Sequence, residues 1–534
     1  MKSIKELVFG FGDAENYLRR QNKDLFNRVF VKNRYLDQIL DSNRFFLIGE
    51  KGTGKTAYSV YLTNNLGYSG CVSYLKYLRE TDYAKFLKMK KSNDLCLSDY
   101  SDIWMVIILF LLASILKENE LDESRFSRPR RIRVLREVCL EYHQKAFAPE
   151  IAQALQFVEQ SNSVVKAISG ALSAQMGDKR RRTSNESAFQ LNLMYLQRQF
   201  LEALKDLKLR RNHLLFIDGI DMRPGDIPYD DYLECVKGLA HAVWRLNTDC
   251  FPAFRDSLGR FRVIILLRPD IFNSLNLQNA ANKLRDNSVY LCWDTPYDRC
   301  ESSELFRLSD RILACQQSSC GLTIGDAWHA YFPWTMKDIK PKREHDDVSF
   351  VQFLKMSYCR PRDIVSALAL LQEAAARIGN ADGTIFPATL MADNTFLDGY
   401  SESLMSGVKD QLSFYYTEKE YQLFRNFFMY LDGRNQFDYE FFLNAFKRYA
   451  PYVQSQSSGG IPKFLSSPES FLQFLYDINI IAYKEITDRG NFFRWCYRER
   501  RISNLSPKVE VGGTYVVHYG LLKALNLGYA RRIA

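Results

Sequence analysis

Hydrophobic and polar positions follow two regimes along the chain. Over about the first 300 positions, short apolar runs end on a glycine or a charged residue. Phe45-Phe46-Leu47-Ile48 ends on Gly49, Cys71-Val72-Ser73-Tyr74-Leu75 on Lys76, and His213-Leu214-Leu215-Phe216-Ile217 on Asp218. Phe261-Arg262-Val263-Ile264-Ile265-Leu266-Leu267 ends on Arg268, and Val289-Tyr290-Leu291-Cys292-Trp293 on Asp294. These runs are rich in β-branched and aromatic residues, as buried parallel strands are. Helical patterning separates them, which predicts an α/β core with a parallel sheet covered by helices. The stretch from Asp99 to Leu209 exceeds one crossover helix and reads as a helical insertion. Within it, Ile103–Leu116 is an apolar run closed by Asp102 and Lys117, too short to span a bilayer and suited to a buried helix.

Beyond Asp294-Thr295-Pro296 the pattern turns helical. Phe350–Ala375 reads as helix, with Pro361 fit for a first turn, where its missing N–H costs little. Gly379, Gly383 and Pro387 mark a linker zone over Ala374–Thr395. Thr417-x-x-Glu420 spells a capping box, opening a helix with Leu423, Phe424, Phe427, Phe428 and Leu431 on one face. Phe437–Phe446 predicts a second amphipathic helix, and Ser467-Pro468-Glu469 opens a third carrying Phe471, Leu472, Leu475 and Tyr476. Ile480–Tyr483 and Asn491–Tyr497 flank Asp488-Arg489-Gly490, a hairpin signal. Three helices and then a hairpin is the order of a winged helix. The expected organisation is an N-terminal helical segment over 1–40, a core over 41–298 with its insertion near 99–209, a helical lid over 299–395, and a winged-helix-like domain over 396–534.

Composition narrows the class. A length of 534 residues exceeds one ordinary core, and 46% hydrophobic with 25% charged residues is the balance of a soluble globular protein. The 72 basic against 62 acidic side chains leave +10, which permits an acidic partner without requiring one. No segment reads as membrane-spanning, and the first residues lack an apolar signal core, so a cytoplasmic protein is expected. The 11 cysteines form no C-x-x-C pair and read as reduced thiols, and the 6 histidines form no metal constellation. Two basic patches stand out in the insertion: Arg125, Arg128, Arg130, Arg131, Arg133 and Arg136, and the run Lys179-Arg180-Arg181-Arg182. Each reads as a solvated surface or as the contact for an anionic partner.

The most specific chemistry follows the first apolar run. Gly49-Glu50-Lys51-Gly52-Thr53-Gly54-Lys55-Thr56-Ala57 satisfies G-x-x-x-x-G-K-[ST]. Glycines let backbone N–H groups wrap a phosphate, and the following helix turns its N-terminal dipole toward the same anion. Lys55 is the expected ligand of the β- and γ-phosphates, and the Thr56 hydroxyl that of Mg²⁺. Asp218, at the end of its apolar run, is the expected acidic partner for Mg²⁺. Many hydrolytic proteins of this type place a glutamate next, but here the position is Gly219. Asp221 reads either as a water-orienting base or as a turn cap. Arg268, at the end of the neighbouring run, and Arg362, in Arg360-Pro361-Arg362-Asp363, are candidate phosphate-facing cations, with Arg360 a further one or a surface ion pair with Asp363. The segment Phe9–Glu15 reads equally as a flap over a nucleotide base or as a helical cap.

Asp218-Gly219-Ile220-Asp221 resembles the D-G-[LI]-D signature of STAND and KAP-type P-loop ATPases, relatives of AAA+ proteins, and Arg268-Pro269-Asp270 resembles the Arg-Pro element after their next strand. The full layout resembles a largely uncharacterised bacterial P-loop ATPase family. That layout is Phe9–Glu15, the phosphate loop, Arg268–Phe272, Asn282–Asn287, Arg360–Val365 and a winged helix ending near Tyr515–Leu521. The resemblance implies an ASCE core, ATP with Mg²⁺, a lid, and association with phage-defence loci. It implies an ATP-driven switch acting through homo-oligomerisation or an effector protein. Two further readings stay open: a nucleic-acid-stimulated motor or loader, for which Arg489, Arg494, Arg498, Arg500 and Arg501 around the hairpin provide charge, and a scaffold with structural ATP.

Overall fold

The computed structural model describes residues 1–78, 97–116, 121, 127–145, 186–223, 227–255, 257–318, 321–339, 347–456, 460–487 and 490–528. They fall into two compact units. One comprises Asp37–Ile48 and Thr56–Val289, the other Met1–Leu36, Gly49–Lys55 and Tyr290–Ala534.

The predicted apolar runs form one five-stranded parallel sheet: β1 (Phe46–Gly49), β2 (Cys71–Tyr77), β3 (Asn212–Asp218), β4 (Phe261–Leu267) and β5 (Ser288–Leu291), in the order β2-β3-β4-β1-β5. Register sets Phe46 opposite Ile265, Leu215 opposite Val263, and Leu75 opposite Phe216. Every residue of β4 is buried, as its unbroken apolar run requires. The strand is inserted between the one that feeds the glycine loop and the one that ends on Asp218.

Between β2 and β3 lie helices Leu97–Ile115, Ser127–Lys145 and Glu186–Lys205. The apolar helix Leu97–Ile115 packs on Tyr229–Arg245 and on Glu186–Lys205. Trp104 Nε1 donates to the Cys235 carbonyl at 3.1 Å, and Asp102 pairs with Arg245 at 2.8 Å. Among the described residues no helix is long and apolar enough to cross a membrane. Arg125 and the Lys179–Arg182 run lie outside the described residues, as does the side chain of Arg128; Arg130, Arg133 and Arg136 are exposed on Ser127–Lys145.

In the second unit one continuous hydrophobic core runs from Ile4 to Leu527. Helix Pro361–Arg377 starts with Pro361 at its first position, as its sequence predicts. The stretch read as a linker is packed: Ile4 N donates to the Gly383 carbonyl at 2.8 Å and Lys5 N to that of Ala381 at 2.9 Å. Asp393 then caps helix Asn394–Leu412 through Phe396 N.

The Thr417–Glu420 capping box forms, opening helix Glu418–Asn426. After it come β6 (Gln436–Asp438), helices Tyr439–Gln456 and Pro468–Asp477, β7 (Ile481–Thr487), β8 (Gly490–Trp495) and β9 (Thr514–Val517). The strands make a second sheet ordered β6-β9-β7-β8, antiparallel throughout. Phe437, expected in a helix, lies instead in β6 opposite Tyr515, because pairing with the distant β9 overrides local helical periodicity. The hairpin residues Asp488 and Arg489 lie outside the described residues.

Candidate functional site

Within the unit that contains Gly49–Lys55, the glycine loop is tied down residue by residue. Lys55, 8% exposed, donates from Nζ to the carbonyls of Gly49 at 2.8 Å and Glu50 at 3.3 Å. Thr53 closes the turn through Oγ1 onto the Glu50 carbonyl, and its own carbonyl accepts from Trp293 Nε1 at 2.8 Å. Lys51 pairs with Asp410 of helix Asn394–Leu412 at 2.6 Å. Gly52 takes a left-handed φ of 88°, and a Cβ there would lie 3.1 Å from the Arg362 Cβ, so the tight loop demands glycine.

Two arginine sources grip the same loop. Arg360 forms a two-pronged pair with Asp363, 3.0 Å on each side, and donates from Nη1 to the Lys51 carbonyl at 2.9 Å. Its guanidinium lies 4.6 Å from the Tyr358 ring centroid. Arg362 N donates to the Gly52 carbonyl at 3.3 Å, while its Nε reaches the Gly12 carbonyl at 2.9 Å. Arg360 thus has both the Asp363 partner and a loop contact, and Arg362 joins the loop to the Phe9–Glu15 segment. Arg500 reaches the loop from the C-terminal sheet region: Nη1 pairs with the Glu50 carboxylate, Nη2 donates to the Asp477 carbonyl at 2.8 Å, and Nε to that of Leu505 at 3.2 Å. The i,i+3 spacing of Arg360 and Asp363 made that pair legible; no sequence signal linked Glu50 to Arg500, Lys51 to Asp410, or Trp293 to Thr53.

In the other unit, Thr56 and Asp218 meet. Thr56 Oγ1 donates to Asp218 Oδ2 at 2.6 Å, while Oδ1 accepts from Gly219 N at 2.8 Å. Helix Lys55–Asn64, which also carries Ala57, therefore presents its first hydroxyl to the carboxylate that ends β3. Asp221 is half-buried in the following turn, and among the described residues its carboxylate has no hydrogen-bond partner. Tyr232 fixes that turn from helix Tyr229–Arg245 by donating to the carbonyls of Ile220 and Met222. Arg268 is fully buried and forms a two-pronged pair with Asp270, 3.1 and 2.8 Å.

Of the described arginines around the hairpin, Arg498 and Arg500 point inward, while Arg494 is half-exposed. Arg494 pairs with Glu485 and Glu499. Arg498 donates to Cys359 Sγ at 3.5 Å and lies 4.7 Å from the Tyr297 ring centroid. Beside it, burial pushes the Cys359 thiol up to about 11, and buried His518, tilted against the Tyr358 ring, is pushed down to about 3, by burial first and by Arg360 and Arg498 next. Arg501 is exposed. No protein-family model matches the chain, and no curated protein matches it.

Proposed function

We propose that the chain is a magnesium-dependent ATP-binding switch with slow hydrolysis, in which nucleotide state is coupled to the C-terminal sheet domain and from there to self-association or an effector protein. The observation that carries this reading is the 2.6 Å bond between Thr56 and Asp218, which stand 162 positions apart. A hydroxyl and a carboxylate, both hard oxygen donors directly behind a G-x-x-x-x-G-K-T loop, suit Mg²⁺ and no softer metal better. Bound there, Mg²⁺ supplies positive charge to the β- and γ-phosphate oxygens. The chain's own work is then division of labour. Lys55 would exchange the Gly49 and Glu50 carbonyls for phosphate oxygens, Gly52 and Gly54 would leave room for backbone donors, and Asp218 would hold the ion with Thr56.

The insertion of β4 between β1 and β3 supports the ASCE type of core, and the C-terminal helices with their four-stranded sheet fit a winged helix. Gly219 beside Asp218 supports slow turnover, leaving Asp221 as the nearest acid to orient water. The resemblance to STAND and KAP-type ATPases supports ATP and a role in anti-phage defence. The internal pairing of Arg498 and Arg500 favours the switch over a nucleic-acid motor, because those charges are already used.

The test is ATP turnover and ATP binding by the purified chain, wild type beside Lys55→Ala, with and without single- and double-stranded DNA and RNA. The expected result is tight binding, slow turnover insensitive to nucleic acid, and loss of both in the variant. Turnover raised many-fold by nucleic acid would replace the switch with a motor; ATP affinity unchanged in Lys55→Ala would remove the phosphate-loop assignment.

A further inference from the structure

An acidic side chain inside an anion-binding loop needs an explanation. Glu50 stands immediately after the first loop glycine, and its carbonyl accepts from Lys55 Nζ, the group that phosphate would claim. A bare carboxylate there would repel phosphate. Its counter-charge is Arg500, whose side chain is 5% exposed against 13% for Glu50, so solvent screens the pair little. Other cations nearby are engaged elsewhere: Lys51 with Asp410, Arg360 with Asp363. Half-buried Tyr290 beside Glu50 has its phenol pushed far up by burial first and by Glu50 next, so it brings no charge.

We propose that Arg500 is a positioning residue of the phosphate loop: by neutralising Glu50 it makes the loop able to accept ATP phosphates, so that ATP affinity depends on the Glu50–Arg500 pair being intact. This rests on the nucleotide reading above. Arg500 is anchored by the carbonyls of Asp477, at the end of helix Pro468–Asp477, and of Leu505. Linkage makes the coupling reciprocal: whatever affinity the Glu50–Arg500 pair adds to ATP, ATP adds to the stability of the pair.

The test is the dissociation constant of a fluorescent N-methylanthraniloyl-ATP with Mg²⁺ for four forms of the full chain: wild type, Glu50→Gln, Arg500→Ala and the double variant. Arg500→Ala is expected to weaken binding about tenfold or more, from one uncompensated charge near the phosphates. Glu50→Gln, which keeps a hydrogen-bond acceptor for Arg500, is expected to tighten it. The double variant is expected to return toward wild type, a rescue that a purely structural role for Arg500 would not produce. Should Arg500→Ala not fold, Glu50→Gln alone decides: unchanged or weaker binding overturns the proposal while the ATP reading stands. No binding by the wild type overturns both.

Discussion

Gly219→Glu would set a second acid beside Asp218, and the backbone here refuses it. Gly219 has a φ of 88°, and a Cβ built on it lies 2.3 Å from the Leu78 carbonyl oxygen and 3.1 Å from Leu78 N. Leu78 cannot simply retreat, since its N–H donates to the Asp218 carbonyl at 2.8 Å where β2 runs beside β3. The left-handed backbone costs a side-chain-bearing residue about 1–2 kcal/mol. Forcing an extra carbon into a filled space adds about 1–3 kcal/mol, and a broken strand-end hydrogen bond about 1 kcal/mol. Together these give about 3–6 kcal/mol, and they arise at Cβ, so Gly219→Ala should lose nearly as much as Gly219→Glu. The assay is hydrogen exchange of peptides covering β3 as a function of urea, with ATP turnover of the same samples. Protection should fall alike in both variants, with no gain in turnover for the glutamate. A Gly219→Glu protein as protected as wild type, or one turning over ATP faster, would refute the steric argument and make the glycine an ordinary substitution.

Three further outcomes follow from the same geometry. Asp218→Asn should weaken Mg²⁺-dependent ATP binding more than Mg²⁺-independent binding, read by titrating nucleotide with and without the ion; equal loss in both would deny Asp218 a metal role. Arg360→Ala removes the partner of Asp363, whose side chain is only 3% exposed, and should cost about 3 kcal/mol of unfolding free energy, with less than 1 kcal/mol contradicting the pairing. His518 is held neutral with its pKa pushed down to about 3, so below the ordinary value near 6.5 the unfolded chain takes a proton that the folded one refuses. Its contribution is complete above that value and is lost at about 1.4 kcal/mol per pH unit as pH falls toward 3. Urea midpoints of wild type and His518→Phe from pH 7.5 to 5 should therefore differ in slope, and parallel slopes would refute it.

The strands and the loop were legible because each is a local signal. Phe261–Leu267 is an unbroken apolar run, and it is fully buried; Thr417 and Glu420 cap a helix with no help from distant residues. Strand order was not legible, since placing β4 between β1 and β3 is decided by which edges meet after collapse. Phe437 was misread for the same reason, its partner Tyr515 being far along the chain. At the site, the glycine-loop motif named Lys55 and Thr56 and the end of an apolar run named Asp218, and Thr56 and Asp218 do meet. Arg268 was expected to face phosphate from the strand end; its side chain is instead fully buried against Asp270, a partner two residues away that the Arg-Pro-Asp spelling already contained. Arg500 could be counted as charge but not as a loop contact, because a sequence displays a guanidinium without its counter-ion.

That last distinction decides how the basic C-terminal region should be understood. A nucleic-acid surface needs cations free to displace condensed counter-ions from phosphates. Arg500 could reach a phosphate backbone only by abandoning Glu50, leaving a carboxylate 13% exposed without its pair. Removing one member of such a buried pair costs about 3–5 kcal/mol, more than an exposed phosphate contact returns. Arg498 is likewise committed, to Cys359, Tyr297 and Asp294. Exposed cations include Arg501 in the C-terminal region and Arg130, Arg133 and Arg136 on the insertion helix, of which Arg133 is partly neutralised by Glu137. Arg498 and Arg500 are therefore charges that the sequence displays but the fold directs inward, with Arg500 set against Glu50 of the glycine loop.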